Sequence, residues 1–253
     1  MTEIDPERPH PARIYDYLLG GACNFEPDRA FAERFLTVMP NAAAAARTNR
    51  AFLRRVVEYY LSQGVRQFLD LGSGIPSVGN VHEIAPGAPV VYVDNDPIAV
   101  AHSEIVLREV PNAAAVLGDL REPEAVLATD AVSRLLDLDQ PVGVLMLAVL
   151  HFVADAGQAI DRYAAAVAPG SHFAITHGTA DAQPEAEADV LRLYAGTGSP
   201  AVPRNLAEVG GLCAGLTVID PGVVWTPLWR PDAPASGDPT MAMTYAVVAR
   251  KDL

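Results

Sequence analysis

From about residue 65 onward, short apolar runs alternate with longer amphipathic stretches. Apolar runs at 65–71, 89–94, 113–117, 142–148 and 171–176 have the length and side-chain content of buried strands. Between them lie helical patterns: a turn and short helix to about 85, a helix opened by Asp96-Pro97 and running to about 109, one or two helices in 121–138, and helices at 154–167, about 183–194 and 203–210. Repeated strand-then-helix units predict a parallel sheet with helices on both faces. Two last strands, 216–224 and 242–250, have no helix between them and predict an antiparallel hairpin at one end. RPDAPASGDPT (230–240) reads as the surface loop joining them.

The first 64 residues follow a different pattern. Residues 1–13 read as an extended arm, and 13–36 as helix, Gly-Gly break, helix. Asn41 is a candidate N-cap for a long helix, 41–63, with Phe52, Val56, Tyr59 and Tyr60 on one face and Gly64 at its end. The expected division is a helical extension or lid over 1–64 and one compact domain over 65–253.

Half of the 253 residues are hydrophobic, enough for a sizeable core. The net charge of −13 opposes phosphate backbones and anionic lipid surfaces, so neither nucleic acid nor membrane is expected as a partner. The longest apolar run, VGVLMLAVL (142–150), is too short to span a bilayer, and the first 13 residues carry no apolar signal core, so a soluble cytoplasmic protein is expected. Cys23 and Cys213 form no Cys-x-x-Cys pair, so no metal site or disulfide framework is expected.

Candidate chemistry concentrates at one place. FLDLGSGIPSVGN (68–80) runs from a strand into a glycine-rich turn, and VVYVDNDP (90–97) ends the next strand in acid. Gly72 and Gly74, with Ser73 between them, leave backbone open to a ligand. Asp94 stands 20 residues after Gly74 (94 − 74), a spacing that lets its carboxylate accept from both hydroxyls of a ribose. Asn95 follows it, and Asp96 is better explained as a helix cap. A nucleoside-containing cofactor is expected. Pyrophosphate is a poor fit, because Pro76 removes an N–H group where a phosphate-binding helix would begin. Asp70 either orients the loop, faces a cationic amino group, or simply accepts loop N–H bonds. In LGDLR (117–121), Asp119 can accept from an adenine amino group while the Leu120 N–H donates to a ring nitrogen, or Asp119 can be a plain cap.

DLGSG, VDNDP and GDLR, in this order and spacing, resemble motifs one, two and three of class I S-adenosylmethionine-dependent methyltransferases. RIYDYLLGGACNFEPDR (13–29) and LGSGIPSVGNVHE (71–83) further resemble one bacterial family of these enzymes whose substrates are largely unassigned. The resemblance implies a Rossmann-like α/β fold with a seven-stranded, mostly parallel sheet whose last strand is antiparallel. It implies S-adenosylmethionine as cofactor, S-adenosylhomocysteine as product, and an N-terminal lid in which Tyr15, Asn24 and Arg50 meet the cofactor or the acceptor. Pro76 departs from the class pattern, standing where a third glycine is usual, and places the methionine moiety differently.

No Asn/Asp-Pro-Pro-Tyr follows strand four and neither cysteine follows a proline, so both nucleic-acid-methylating branches are excluded and a small-molecule acceptor is expected. His151 and His177, expected at the carboxyl edge of the sheet, are candidate bases for an acceptor proton, or loop histidines that shape the pocket. Two other readings stay open: a non-catalytic protein that senses S-adenosylmethionine or its product, and a nicotinamide oxidoreductase, against which stand the missing third glycine and the absence of a Tyr-x-x-x-Lys pair. Monomer and homodimer are both compatible with the sequence.

Overall fold

The computed structural model describes residues 5–77, 79–234 and 237–252. The first four residues of the arm, Val78 in the glycine-rich segment, and the tip of the 230–240 loop lie outside them.

The strands are β1 (Phe68–Leu71), β2 (Val90–Asp94), β3 (Ala113–Leu117), β4 (Gly143–Leu147), β5 (His172–Gly178), β6 (Thr217–Val218), β7 (Val224–Trp225) and β8 (Thr244–Arg250). The described residues form one sheet in the order β3-β2-β1-β4-β5-β8-β6, with β7 also pairing β8. β1 to β5 run parallel, and β8 lies antiparallel to β5, β6 and β7. β6 and β7 occupy one edge position, so the seven-position sheet with an antiparallel last strand is present. The expected strand 216–224 is split in two: Asp220-Pro221-Gly222 interrupts it, with Gly222 at φ +85. Proline cannot donate to a ladder and the glycine turns the chain.

The helices are α1 (Pro11–Leu18), α2 (Glu26–Val38), α3 (Ala42–Ser62), α4 (Val81–Ile84), α5 (Pro97–Val106), α6 (Pro123–Leu127), α7 (Asp130–Leu135), α8 (Ala156–Ala166), α9 (Glu187–Ala195) and α10 (Leu206–Gly211). Strand alternation divides the core. Leu69, Leu71, Val144 and Met146 pack with α6, α7, α8 and α10, and Phe68, Val90 and Leu145 pack with α3 and α4. Phe52, Val56 and Tyr60 of α3 are fully buried in the second layer, while Tyr59 is half-buried against Trp229. α3 is therefore part of the sheet's core, and the division at residue 64 runs through one packed body.

Two local expectations are corrected. The arm ends at residue 10, because Pro11 opens α1 and His10 Nδ1 caps it by accepting from the Ala12 N–H at 3.3 Å. Asn41 makes no capping bond; its amide turns to the Met241 sulfur. Asp96 does cap α5, accepting from the Ile98 N–H at 3.1 Å.

α1 and α2 pack on the first turns of α3 and on α9, above the carboxyl end of the sheet. Their link turns on Asp16, whose carboxylate accepts from the Cys23 N–H and the Asn24 side-chain amide, both at 2.8 Å. Gly21 is needed there: an added Cβ would lie 2.0 Å from Asp16 Oδ1.

Candidate functional site

At the carboxyl ends of β1, β2 and β4 a cavity of about 380 Å³ opens beneath α1 and α3, within the size range of small-molecule sites. Eleven of the thirteen residues expected at a site line it: Tyr15, Arg50, Asp70, Gly72, Ser73, Gly74, Asp94, Asn95, Asp119, Leu120 and His151. Asn24 and His177 do not. Asn24 holds the α1–α2 link, bonding Asp16, the Gly21 carbonyl and Arg29.

The turn after β1 is shaped by close approach. Gly72 has φ +73, and an added Cβ would stand 2.4 Å from Val149. Gly74, at φ +67, would point a Cβ at no protein atom within 4 Å, so its backbone faces open space. Asp94 fastens this turn to the next: Oδ2 accepts from the Gly74 N–H at 2.7 Å and Oδ1 from the Asp96 N–H at 2.8 Å. Burial pushes its carboxyl up, and the two N–H groups oppose that shift. Each carboxylate oxygen keeps a lone pair for a hydroxyl.

Asp70 is buried beside this turn, and desolvation raises its pKa to about 7 against the pull of Arg50. Among the described residues no N–H group bonds it, which argues against Asp70 as a plain loop acceptor. Arg50 donates to the Gly79 carbonyl at 2.9 Å and Asn80 Oδ1 at 3.2 Å, and so pins the proline-containing loop. Asp119 is held by Arg121, whose Nε lies 2.9 Å from both carboxylate oxygens, and this partner lowers its pKa.

Three features had no sequence motif. A buried relay runs from Tyr15 Oη through Asn49 Nδ2 (3.0 Å) and Asn49 Oδ1 to Thr176 Oγ1 (2.7 Å), which accepts from the Ala148 N–H (2.8 Å). It ties the roof of the cavity to the ends of β4 and β5. Ala148 sits at φ +54, a conformation uncommon outside glycine, and lines the cavity. Arg204 reaches back to the carbonyls of Leu150, Val153 and Ala154, fixing the loop that carries His151.

His177 is corrected on two counts. It lies inside β5, because pairing with Tyr245 of β8 lengthens the strand beyond residue 176. Both ring nitrogens are engaged: Nδ1–H donates to the Gly178 carbonyl at 2.7 Å, and Nε2 accepts from Arg204 at 2.9 Å. No lone pair is left for a substrate proton. His151 does line the cavity, but its Nδ1 accepts from the Gly178 N–H at 3.4 Å, which leaves the proton on Nε2. Burial depresses both imidazoles, His151 to about 3 and His177 to about 4.

These shifts set an acid limit. Each histidine binds its proton less readily folded than unfolded, so its contribution to stability is complete above about pH 6.5 and is lost as pH falls toward 4. Burial also lowers His82 and His172, which act in the same sense. Asp70 and Asp94, whose carboxyls burial raises, act oppositely, the contribution of Asp70 being complete below 3.8 and lost as pH rises to about 7. Four groups outweigh two. The melting temperature therefore falls between pH 7 and pH 5, and less steeply in His177→Gln than in the natural chain. Equal slopes would refute the assignment.

The sequence profile described as S-adenosyl methyltransferase matches residues 1–252. The chain belongs to the S-adenosyl methyltransferase family. Its cofactor is S-adenosylmethionine, as the motif resemblance implied. Two solved structures share the family's whole fold. A DUF574 family protein of Streptomyces avermitilis is 36% identical over 98% of this chain and 100% of that one, with TM-score 0.93. A candidate methyltransferase of Thermobifida fusca YX is 35% identical over 98% and 96%, with TM-score 0.92. The magnesium protoporphyrin IX methyltransferase of Synechocystis, solved with S-adenosylhomocysteine, is 14% identical over 94% and 93%; at TM-score 0.57 it shares the fold alone. No curated protein matches this methyltransferase-family chain. Among its described residues no helix is long and apolar enough to cross a membrane, and no cluster of His, Cys, Asp and Glu is placed to hold a metal.

Proposed function

We propose that this chain transfers the methyl group of S-adenosylmethionine to a small-molecule acceptor. One observation carries the reading: the cavity at the Asp94 turn continues past His151 to Phe152 and Tyr194, beyond the residues assigned to the cofactor. A sensor requires only the cofactor half, and an enzyme requires both.

The residues fit the cofactor. Asp94 accepts from the ribose, Asn95 and Gly118 flank it, and Leu120 with Asp119 meets the adenine once Arg121 shares that carboxylate. Asp70, buried with no N–H donor on it among the described residues, faces the amino group of the methionine end, with Ser73 and Gly74 supplying the backbone edge. When bound, S-adenosylmethionine supplies a sulfonium-activated methyl that the acceptor's lone pair displaces in line, leaving S-adenosylhomocysteine. α1 and the Tyr15–Asn49–Thr176 relay form the lid that excludes water. Alignment of this kind is worth on the order of 7–11 kcal/mol of barrier. His151 donates from Nε2 and orients the acceptor, and the proton of the methylated acceptor is lost to solvent once the lid opens and the product leaves.

The test is transfer of labelled methyl from S-adenosylmethionine to the small-molecule fraction of the source cells, lost in Asp94→Ala. Tight S-adenosylhomocysteine binding without transfer to any fraction would overturn the reading in favour of a sensor.

Asp70 gives a prediction with opposite signs. Asp70→Asn removes a carboxylate that is costly to bury, so the free protein melts higher at pH 8. The same change weakens S-adenosylhomocysteine roughly 10- to 100-fold, the worth of one charge-assisted bond. Thermal melts and calorimetry read the two effects. A melt that moves down, or an unchanged affinity, would remove Asp70 from this role.

A further inference from the structure

The cavity has a second chamber. An apolar annex of about 110 Å³ lies against the main cavity, and the two share Phe35, His151, Gly178, Tyr194, Val202 and Met243. α9 closes it with Val190 and Leu191, and α2 adds Met39. The shared wall carries the Phe35, Tyr194 and His151 rings. The Tyr194 ring lies 5.8 Å from Phe35 and 5.2 Å from Phe152 of the main cavity, and Phe152 lies 4.2 Å from His151. Rings at these spacings favour a flat, polarisable occupant.

Charge and size constrain what enters. No Lys or Arg lines the annex and Glu187 does, so an anion has nothing there to neutralise it. A closed apolar cavity of about 150 Å³ takes a benzene ring. An annex of about 110 Å³ that opens onto a larger space holds one ring of a molecule whose reacting end remains beside His151.

We propose that the annex is the acceptor subsite, and that the acceptor is an uncharged compound with an aromatic ring that fills it. This rests on the methyl-transfer reading and names its substrate class.

The experiment titrates the protein, saturated with S-adenosylhomocysteine, with phenol, toluene and benzoate, which share ring size and differ in donor and charge. Phenol and toluene bind, and benzoate does not bind. Val190→Phe fills the annex and lowers phenol affinity by roughly tenfold or more, while S-adenosylhomocysteine affinity and the melting temperature stay unchanged. Absence of phenol and toluene binding, preference for benzoate, or indifference to Val190→Phe would overturn the proposal. If Val190→Phe disturbs folding, the order of toluene and benzoate on the natural chain decides. Failure of S-adenosylhomocysteine to bind the natural chain would count against the cofactor site instead, and the same titration on free protein would still test the annex.

Discussion

Asp94→Ala is expected to lower S-adenosylhomocysteine affinity by roughly 10²- to 10⁴-fold, because the role proposed for Asp94 gives it two ribose hydroxyl bonds, both lost at once. The carboxylate also organises the turn it sits in. It receives the Gly74 and Asp96 N–H groups, so its removal leaves two donors unpaired and frees the backbone that must face the ligand. Asp94→Asn separates these roles. The amide oxygen keeps one loop bond and its NH₂ meets the other donor badly, so its affinity falls between the natural chain and Asp94→Ala. Calorimetric titration decides it. Binding to Asp94→Ala as tight as to the natural chain would remove the ribose role, and absence of binding to the natural chain would remove the adenosine site altogether.

What was legible in the sequence was local. A run such as FLDL or VVYVD is read from its own residues, and the turn chemistry lies next to it in the chain. The strand-to-acid spacing belongs to the same class, since one strand–helix–strand unit fixes it. The split of the edge strand was also written locally, in the Asp-Pro-Gly that interrupts LTVIDPGVV. What escaped depends on distant partners. His177 reads as an edge histidine until β8 pairs with it and Arg204, 27 residues on, occupies its Nε2. Asn49 reads as one polar residue on a helix until Thr176, 127 residues away, meets it. The annex is walled by Phe35 and Met39 at the far end of α2, by α9 and by the loop after α9, all outside the motifs. A polar residue on an amphipathic helix has many physically equivalent fates, and the fold selects one.

Arg13 shows how much such a distant partner can carry. It lies on α1, 4% exposed, with Nε 3.4 Å from Asp96 Oδ2 and 3.6 Å from Asp28 Oδ2, while its Nη2 donates to the Arg8 carbonyl. One cation therefore neutralises two buried carboxylates: Asp28 organises the start of α2, and Asp96 caps α5 next to Asp94. Arg13→Met keeps much of the side-chain volume and leaves both carboxylates uncompensated. Removing one partner of a buried ion pair costs about 3–5 kcal/mol. For a chain of this size each kcal/mol lowers the melting temperature by roughly 2–4 °C, so a fall of roughly 6–20 °C is expected in thermal melts. Adding Asp28→Asn to Arg13→Met should restore part of that loss, because one of the two stranded charges is gone. S-adenosylhomocysteine should also dissociate faster from Arg13→Met, since α1 is then no longer held to the loop that follows Asp94. A melting temperature within a degree or two of the natural chain would mean that water reaches both carboxylates, and that α1 is held by its apolar contacts alone.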